Sequence, residues 1–224
     1  MKIFSFGNLS ERTSKEQILA KVRSALIAKN ENTFRDLNMQ VDTWTPFKDE
    51  DGADFTFVER FRDSGGIFIY FDSKEGFLEA MKQYIVENQW EPLCSTSKKM
   101  EAVFKDSGIV LSSDYTTKRK KTVSIIDCDC LIAQTGSIMV TDTCAGSRAA
   151  YSNADVLLVY ATPRQIVASM KDAIHLVKEK YNSGKLSETV IITGPSRSTE
   201  IDNQLVVGAQ GIKQLALFLV EEDD

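Results

Sequence analysis

Apolar residues along the chain form short continuous runs that alternate with runs at helical spacing. The continuous runs have the length of strands and cover 67–71, 123–126, 131–133, 138–141, 155–160, 190–192 and 215–220. Helical spacing recurs within 18–26, 58–61, 77–85, 100–104 and 166–181. Apolar strands that alternate with amphipathic helices predict an α/β fold, with a largely parallel sheet covered by helices on both faces.

The boundaries of these elements divide the chain into two parts. A capping box, Thr13-x-x-Glu16, begins the first helix, and we predict an N-terminal helical extension over 1–40 followed by the α/β domain over 41–224. The segment 44–57 mixes aromatic and acidic residues and predicts an ordered loop. Pro163 is predicted to start the long helix of the second half, and Gly184 to stop it.

Composition narrows the class of protein. The chain has 224 residues, a net charge of −5 and 42% hydrophobic residues, which suits one substantial core and argues against wholesale disorder. The negative balance argues against a nucleic-acid binder. No apolar run is long enough to span a bilayer, and residues 1–10 lack the apolar core of a signal peptide, so we expect a cytoplasmic protein. The basic run Lys118–Lys121 favours a solvated loop over an anion-binding patch.

Cysteine and histidine usage limits the possible chemistry. Cys94, Cys128, Cys130 and Cys144 form no CxxC pair, so we expect buried reduced thiols, no metal site and no cofactor in this chain. The sole histidine, His175, lies opposite the apolar stripe of its helix, which predicts an exposed side chain and a poor general base.

The most informative segment is 193–202, directly after an apolar strand. Its candidate binding residues are Thr193, Gly194, Pro195, Ser196, Arg197, Ser198 and Glu200. Gly194 permits a tight turn, and the serines can cap a following helix. A helix N-terminus beside an arginine suits a carboxylate or phosphate. The alternative is a capped helix in which Arg197 pairs with an internal carboxylate, and the residues alone leave both interpretations open.

Two further glycine turns join this segment as candidates. The turn 133–138 offers Gln134, Thr135, Gly136 and Ser137, and the segment 207–212 offers Gly208, Gln210 and Gly211. A plain β-turn explains the first equally well, and the second is a weak signal by itself. Arg148 is a second candidate cation, which could face a ligand or pair with an acid such as Asp142.

Together, TGPSRSTEID, LVVGAQG and AQTGSIMV resemble the LUD domain of lactate-utilisation protein C and its relatives. The resemblance covers mainly the C-terminal half. It implies a fold similar to the ribose-phosphate isomerase, glucosamine-phosphate deaminase and CoA-transferase group. It also implies a role in oxidising L-lactate to pyruvate, with partner proteins that carry the iron–sulfur clusters.

The chain departs from the family pattern where proton transfer could occur. The family glutamate of ETGT is Gln134, and in GxHGP the histidine is Gln210 and the proline is Ile212. Binding geometry could survive these changes, but acid/base chemistry at those positions could not. Three functions stay open: an accessory subunit or small-anion binder in lactate metabolism, a stand-alone enzyme on a phosphorylated or CoA-linked metabolite, and a diverged non-catalytic assembly subunit.

Overall fold

The computed structural model describes residues 52–90, 92–117, 121–181, 186–198, 206–208 and 211–222. The predicted extension over 1–40, most of the basic run 118–121, and Gly184, Glu200 and Gln210 lie outside these described residues. The boundary between the extension and the α/β domain therefore stays a prediction.

A six-stranded parallel sheet forms the centre of the described part. Its order is β1 (Ile67–Phe71), β12 (Gln214–Val220), β7 (Val156–Ala161), β4 (Val123–Asp127), β2 (Leu93–Cys94) and β3 (Leu111–Ser112). All five strand pairs are parallel, with Ile67 opposite Ala216 and Leu215 opposite Leu157. Helices flank the sheet, namely α1 (Ala53–Asp63), α2 (Lys74–Asn88), α3 (Lys98–Phe104), α4 (Asp142–Ala145) and α5 (Ala149–Ser152). The predicted α/β class is confirmed.

Alternate residues of the central strands enter two separate cores. On β12, Leu215 and Leu217 pack with Phe57 and Phe61 of α1, whereas Phe218 packs with α2 and α3 on the other face. A strand that is apolar at every position is required when both faces are covered, because successive side chains point to opposite faces.

A second, four-stranded sheet follows β4 and carries two of the candidate turns. Its order is β8 (Ile166–Val167), β5 (Cys130–Ile132), β6 (Ser137–Thr141) and β9 (Thr189–Ile192). Strand β6 is antiparallel to both β5 and β9. Three strand termini therefore meet at the same end of this sheet, namely the end of β5, the start of β6 and the end of β9. Helix α6 (Met170–Lys180) contacts β5 and β8.

Three predictions about individual elements are wrong. Within the predicted loop 44–57, residues from Ala53 onward are helical, because Phe57 stacks on Phe61 one turn later at 5.6 Å between ring centroids. Pro163 starts only a short 3₁₀ turn, and Ser169 caps α6 in a capping box with Asp172.

The third error concerns β9, because the apolar run 190–192 predicts a buried strand. Strand β9 ends the order of its sheet, and Ile191 is 44% exposed. Apolar content alone does not distinguish a central strand from an outer one.

Within the described ranges, no helix combines the length and apolarity needed to cross a membrane.

Phe77 lies among four other aromatic rings in the core that packs against α2 and α3. It is fully buried, and its ring lies within 5.1–5.8 Å of the rings of Tyr160, Phe218, Phe71 and Phe104. We expect Phe77→Ala to lower the free energy of unfolding by about 3–5 kcal/mol, because a cavity is left among these rings. Urea unfolding measures this loss, and Phe77→Leu should cost clearly less. An alanine variant as stable as the parent would show that the rings close the gap.

Candidate functional site

The three candidate turns meet in space, and we call them the three-turn cluster: residues 134–137, 193–198 and 208–212, as far as they are described. The Ser137 and Thr193 hydroxyl oxygens lie 2.7 Å apart, which joins the first turn to the second. The Ser196 amide donates to the Ile212 carbonyl at 2.7 Å, and the Gly208 amide donates to the Ser196 carbonyl at 2.8 Å. The structure therefore brings together segments that are up to 78 positions apart (212 − 134 = 78).

The last turn of α1 packs against the cluster through backbone contacts. Gly136 has φ +61°, and a Cβ there would come within 3.0 Å of the Phe61 amide nitrogen. Gly194 has φ +87°, and its Cβ would come equally close to the Ser64 carbonyl oxygen. Glycine is required at both positions, because the conformation is left-handed and the space is already filled.

Two arginines bridge α1 and the cluster. The Arg197 guanidinium donates to the Ser64 carbonyl, and the Arg60 guanidinium donates to the Gln134 carbonyl. Arg197 is exposed, so N–H groups that do not face Ser64 can reach a ligand. Sequence reasoning missed Arg60 and Ser64. The pair Gly65-Gly66 indicates where the helix stops, but no local signal indicates which turns that helix end contacts.

Gln134 has a structural role at the start of α6. Its side-chain Oε1 accepts from the Met170 backbone N–H at 3.2 Å, and the Gln134 backbone N–H donates to the Ala168 carbonyl at 2.9 Å. An amide oxygen satisfies one of the N–H groups that a helix N-terminus leaves free. Gln134 thus holds the turn in place without an ionisable group.

The hydroxyls of the first turn face one another. Ser137 Oγ donates to Thr135 Oγ1 at 2.7 Å, next to its contact with Thr193. Both donors and acceptors are neutral. None of these hydroxyls is an acid or base at neutral pH.

The predicted helix after Pro195 is not found at Arg197 and Ser198. These residues form β10 (Arg197–Ser198), which pairs antiparallel with β11 (Val206–Val207). No helix therefore begins at Arg197, so Ser196 does not cap one there. Residues 199–205 lie outside the described part of the chain, and the capping prediction for Ser198 stays a prediction. Glu200 and Gln210 lie outside the described residues. Gly211 lies beside Ser196, where an added Cβ would be 3.7 Å from Ser196 Cβ.

Arg148 is not part of the three-turn cluster. Its Nε lies 2.6 Å from Glu188 Oε2, and another guanidinium nitrogen donates to Ser187 Oγ at 2.8 Å. Both partners precede β9, whereas Thr193 follows it, so Arg148 lies at the opposite end of that strand. Arg148 therefore pairs with Glu188 and not with Asp142 directly. The Ser187 hydroxyl, which accepts from Arg148, donates in turn to the Asp142 carboxylate.

Cys94, Cys128 and Cys130 are buried free thiols, as the sequence predicts, whereas Cys144 is only half-buried. Burial raises the pKa of the Cys128 thiol and brings that of Cys130 to about 12. Burial also raises the pKa of Cys144. The side chain of His175 is 71% exposed. Across the described ranges, no three histidine, cysteine, aspartate or glutamate side chains are grouped to hold a metal ion.

The site is therefore that of an α/β protein whose glycine turns bring hydroxyls and an arginine together at one end of a sheet. Residues 119–220 match the family model of the LUD domain, which confirms the resemblance carried by the three sequence motifs. In general terms, the match supports a protein related to lactate utilisation.

A solved structure has a similar fold. The crystal structure of a DUF162 family protein from Deinococcus radiodurans is similar, with a TM-score of 0.59 and 15% identity. The similarity covers 75% of this chain and 96% of that one. No curated protein matches the chain.

Gly136 tests the close approach between α1 and the first turn. We expect Gly136→Ala to lower the free energy of unfolding by about 2–4 kcal/mol, from left-handed strain together with a backbone clash. Gly108→Ala is the matched control, since Gly108 has φ +81° but nothing within 4 Å of its Cβ position. Chemical denaturation should show a loss of about 1 kcal/mol for the control. Equal losses in the two variants would show that the close approach contributes nothing.

The raised thiol pKa values predict slow cysteine chemistry in the folded state. Because the thiolate is the reactive form and burial disfavours it, Cys128 and Cys130 should resist alkylation by iodoacetamide at pH 8. Mass spectrometry should show both labelled readily after urea unfolding. Fast labelling of Cys130 in the native protein would contradict the raised pKa.

Proposed function

We propose that this protein is a non-catalytic, lactate-utilisation protein C-like subunit that binds a small carboxylate or phosphate at the three-turn cluster. Iron–sulfur partner proteins in the cytoplasm would carry the electrons released when L-lactate is oxidised to pyruvate. The observation that carries the proposal is the convergence of three glycine turns, one of which carries the exposed residue Arg197.

The chemistry of the cluster supports binding over turnover. An arginine fork beside hydroxyl groups is well suited to an oxyanion. Gln134 and Ser137 can orient a ligand but cannot accept a proton at neutral pH. The thiols have raised pKa values, and His175 is on an exposed helix face. Redox steps are therefore assigned to the partners.

A second candidate function rests on the bond between Arg197 and the Ser64 carbonyl. A guanidinium at the carboxyl end of α1 stabilises that helix end, so Arg197 could serve as a structural latch in a diverged assembly subunit. In that case Arg197 variants would lose stability without any effect of added anions.

A thermal-shift assay distinguishes anion binding from the structural role of Arg197. With lactate, pyruvate or phosphate tested separately, we expect one of them to raise the Tm, because a ligand that binds only the native state stabilises it by about 2.7 kcal/mol at a hundredfold excess over Kd. Arg197→Ala should abolish this shift, and Arg197→Lys should reduce it. Arg148→Ala, an exposed arginine at the other end of β9, should leave the shift unchanged.

The negative outcomes are equally informative. If none of the anions raises the Tm of the parent, the binding proposal is wrong. If Arg197→Ala lowers the Tm but the anion-induced shift persists, the latch function is favoured. Co-purification with iron–sulfur proteins, and impaired growth on lactate after deletion, test the physiological part, which normal growth would contradict.

A further inference from the structure

Hydroxyl groups in the three-turn cluster form a hydrogen-bonded chain that has a direction. Ser137 Oγ donates to Thr135 Oγ1 at 2.7 Å, which uses the single proton of the Ser137 hydroxyl. The 2.7 Å contact between Ser137 and Thr193 is therefore a bond that the Thr193 hydroxyl donates. The protons of Thr193 and Ser137 both point along the chain towards Thr135.

This direction leaves the proton of the Thr135 hydroxyl for an acceptor beyond the chain. Ser137 is buried and Thr135 is half-buried, so the chain passes from the interior to a partly open surface. Among the described residues, Thr135 Oγ1 contacts the Ser137 hydroxyl alone. A carboxylate fits this position, because its oxygens accept hydrogen bonds and carry no proton.

A guanidinium group lies next to this hydroxyl. Arg60 is exposed, and its guanidinium donates to the carbonyl of Gln134, the residue directly before Thr135. That bond uses one of the several N–H groups that a guanidinium carries. The first turn of the cluster therefore places a positive charge and an O–H donor side by side.

Arg60 and Arg197 meet α1 within one helical turn. Arg197 donates to the carbonyl of Ser64, whose own amide donates to the Arg60 carbonyl at 3.0 Å. Residues four apart lie on the same side of a helix, about 5–6 Å from each other. The acidic residues of this turn, Glu59 and Asp63, are also four apart and share the neighbouring stripe of the helix. Both guanidinium groups are thus held on the side of α1 that packs against the cluster.

We propose that the three-turn cluster binds a small dicarboxylate. One carboxylate would contact Arg197, and the other would contact Arg60 and the Thr135 hydroxyl. The inference rests on the anion site proposed above and names the class of its ligand. A dicarboxylate uses both cationic groups in charge-assisted bonds, which are about twice as strong as neutral ones, whereas a monocarboxylate uses one of them.

L-Malate is the probe for the full chain, and L-lactate is its matched counterpart, because malate is lactate with a second carboxylate on its methyl carbon. Calorimetry should show that L-malate binds about tenfold more tightly or better, since a hydrogen bond to a charged group contributes at least that factor. L-Malamate, whose second carboxylate is replaced by a neutral amide, should bind like L-lactate.

Variants of the first turn localise the second carboxylate. Arg60→Gln keeps a donor for the Gln134 carbonyl but removes the charge, and Thr135→Val removes the hydroxyl at similar size. Each should weaken the binding of L-malate about tenfold, while the affinity for L-lactate stays within about twofold. Thr135→Ser restores the hydroxyl and should bind L-malate as the parent does.

Arg62→Gln and Thr189→Val are the matched controls, and both alter exposed side chains. Arg62 belongs to the same turn of α1 but is two positions from Arg60, so the two side chains do not face the same way. Thr189 begins β9, at the opposite end of that strand from Thr193. Neither control should change the ratio of the L-malate and L-lactate affinities.

The outcomes separate this inference from the anion site itself. The dicarboxylate is wrong, and the site at Arg197 stands, if the parent binds L-malate, L-malamate and L-lactate equally. A preference for L-malate that survives both Arg60→Gln and Thr135→Val would overturn it too. So would a lower Tm in Arg60→Gln with an unchanged affinity ratio, which would make the role of Arg60 structural. If the parent binds none of the tested anions, the proposed anion site fails as well.

Discussion

The close approach of the α1 carboxyl end to two glycine turns is the constraint on which the candidate site depends. Gly136 and Gly194 leave no room for a side chain between these backbones, so the helix fixes the distance between the turns as well as their orientation. Two arginines stabilise the contact. Arg60 of α1 donates to the Gln134 carbonyl, and Arg197 of the cluster donates to the Ser64 carbonyl of the helix end. A backbone contact of this kind has little freedom to adjust, because interiors are close-packed.

Charge is distributed unevenly between this cluster and the rest of the four-stranded sheet. The cluster holds hydroxyls and the Arg197 guanidinium, whereas Asp129, with a fully buried side chain, lies directly before β5. Its carboxylate accepts from Lys180 Nζ at 2.8 Å, the Tyr181 hydroxyl at 2.7 Å and the Thr141 amide at 2.8 Å. A buried carboxylate with three partners serves the fold, since breaking the set would leave an unpaired charge. Acid groups in this sheet thus stabilise structure, and the cluster retains the polarity of a binding site.

The strands could be predicted from the sequence more fully than the site could. Runs such as 215–220 are apolar at every position because both faces of the sheet are covered, and that pattern leaves little ambiguity. Residues 163–169 misled the prediction, because a proline followed by apolar residues fits a helix start and an outer strand equally well. Arg197 was identified from its glycine-proline turn, but its strand conformation depends on pairing with Val207, ten residues further on. Arg60 gave no signal, since its role arises from a tertiary contact with Gln134.

The link between the two sheets has a consequence for how the molecule opens. Strand β4 of the large sheet passes into β5 of the small one through Cys128 and Asp129 alone, and both residues are buried. So short a link, itself anchored by hydrogen bonds, leaves no slack for one sheet to separate while the other stays intact. Amide protons of β4 and β5 should therefore exchange with solvent in a single cooperative event, so that the two sheets behave as one unfolding unit.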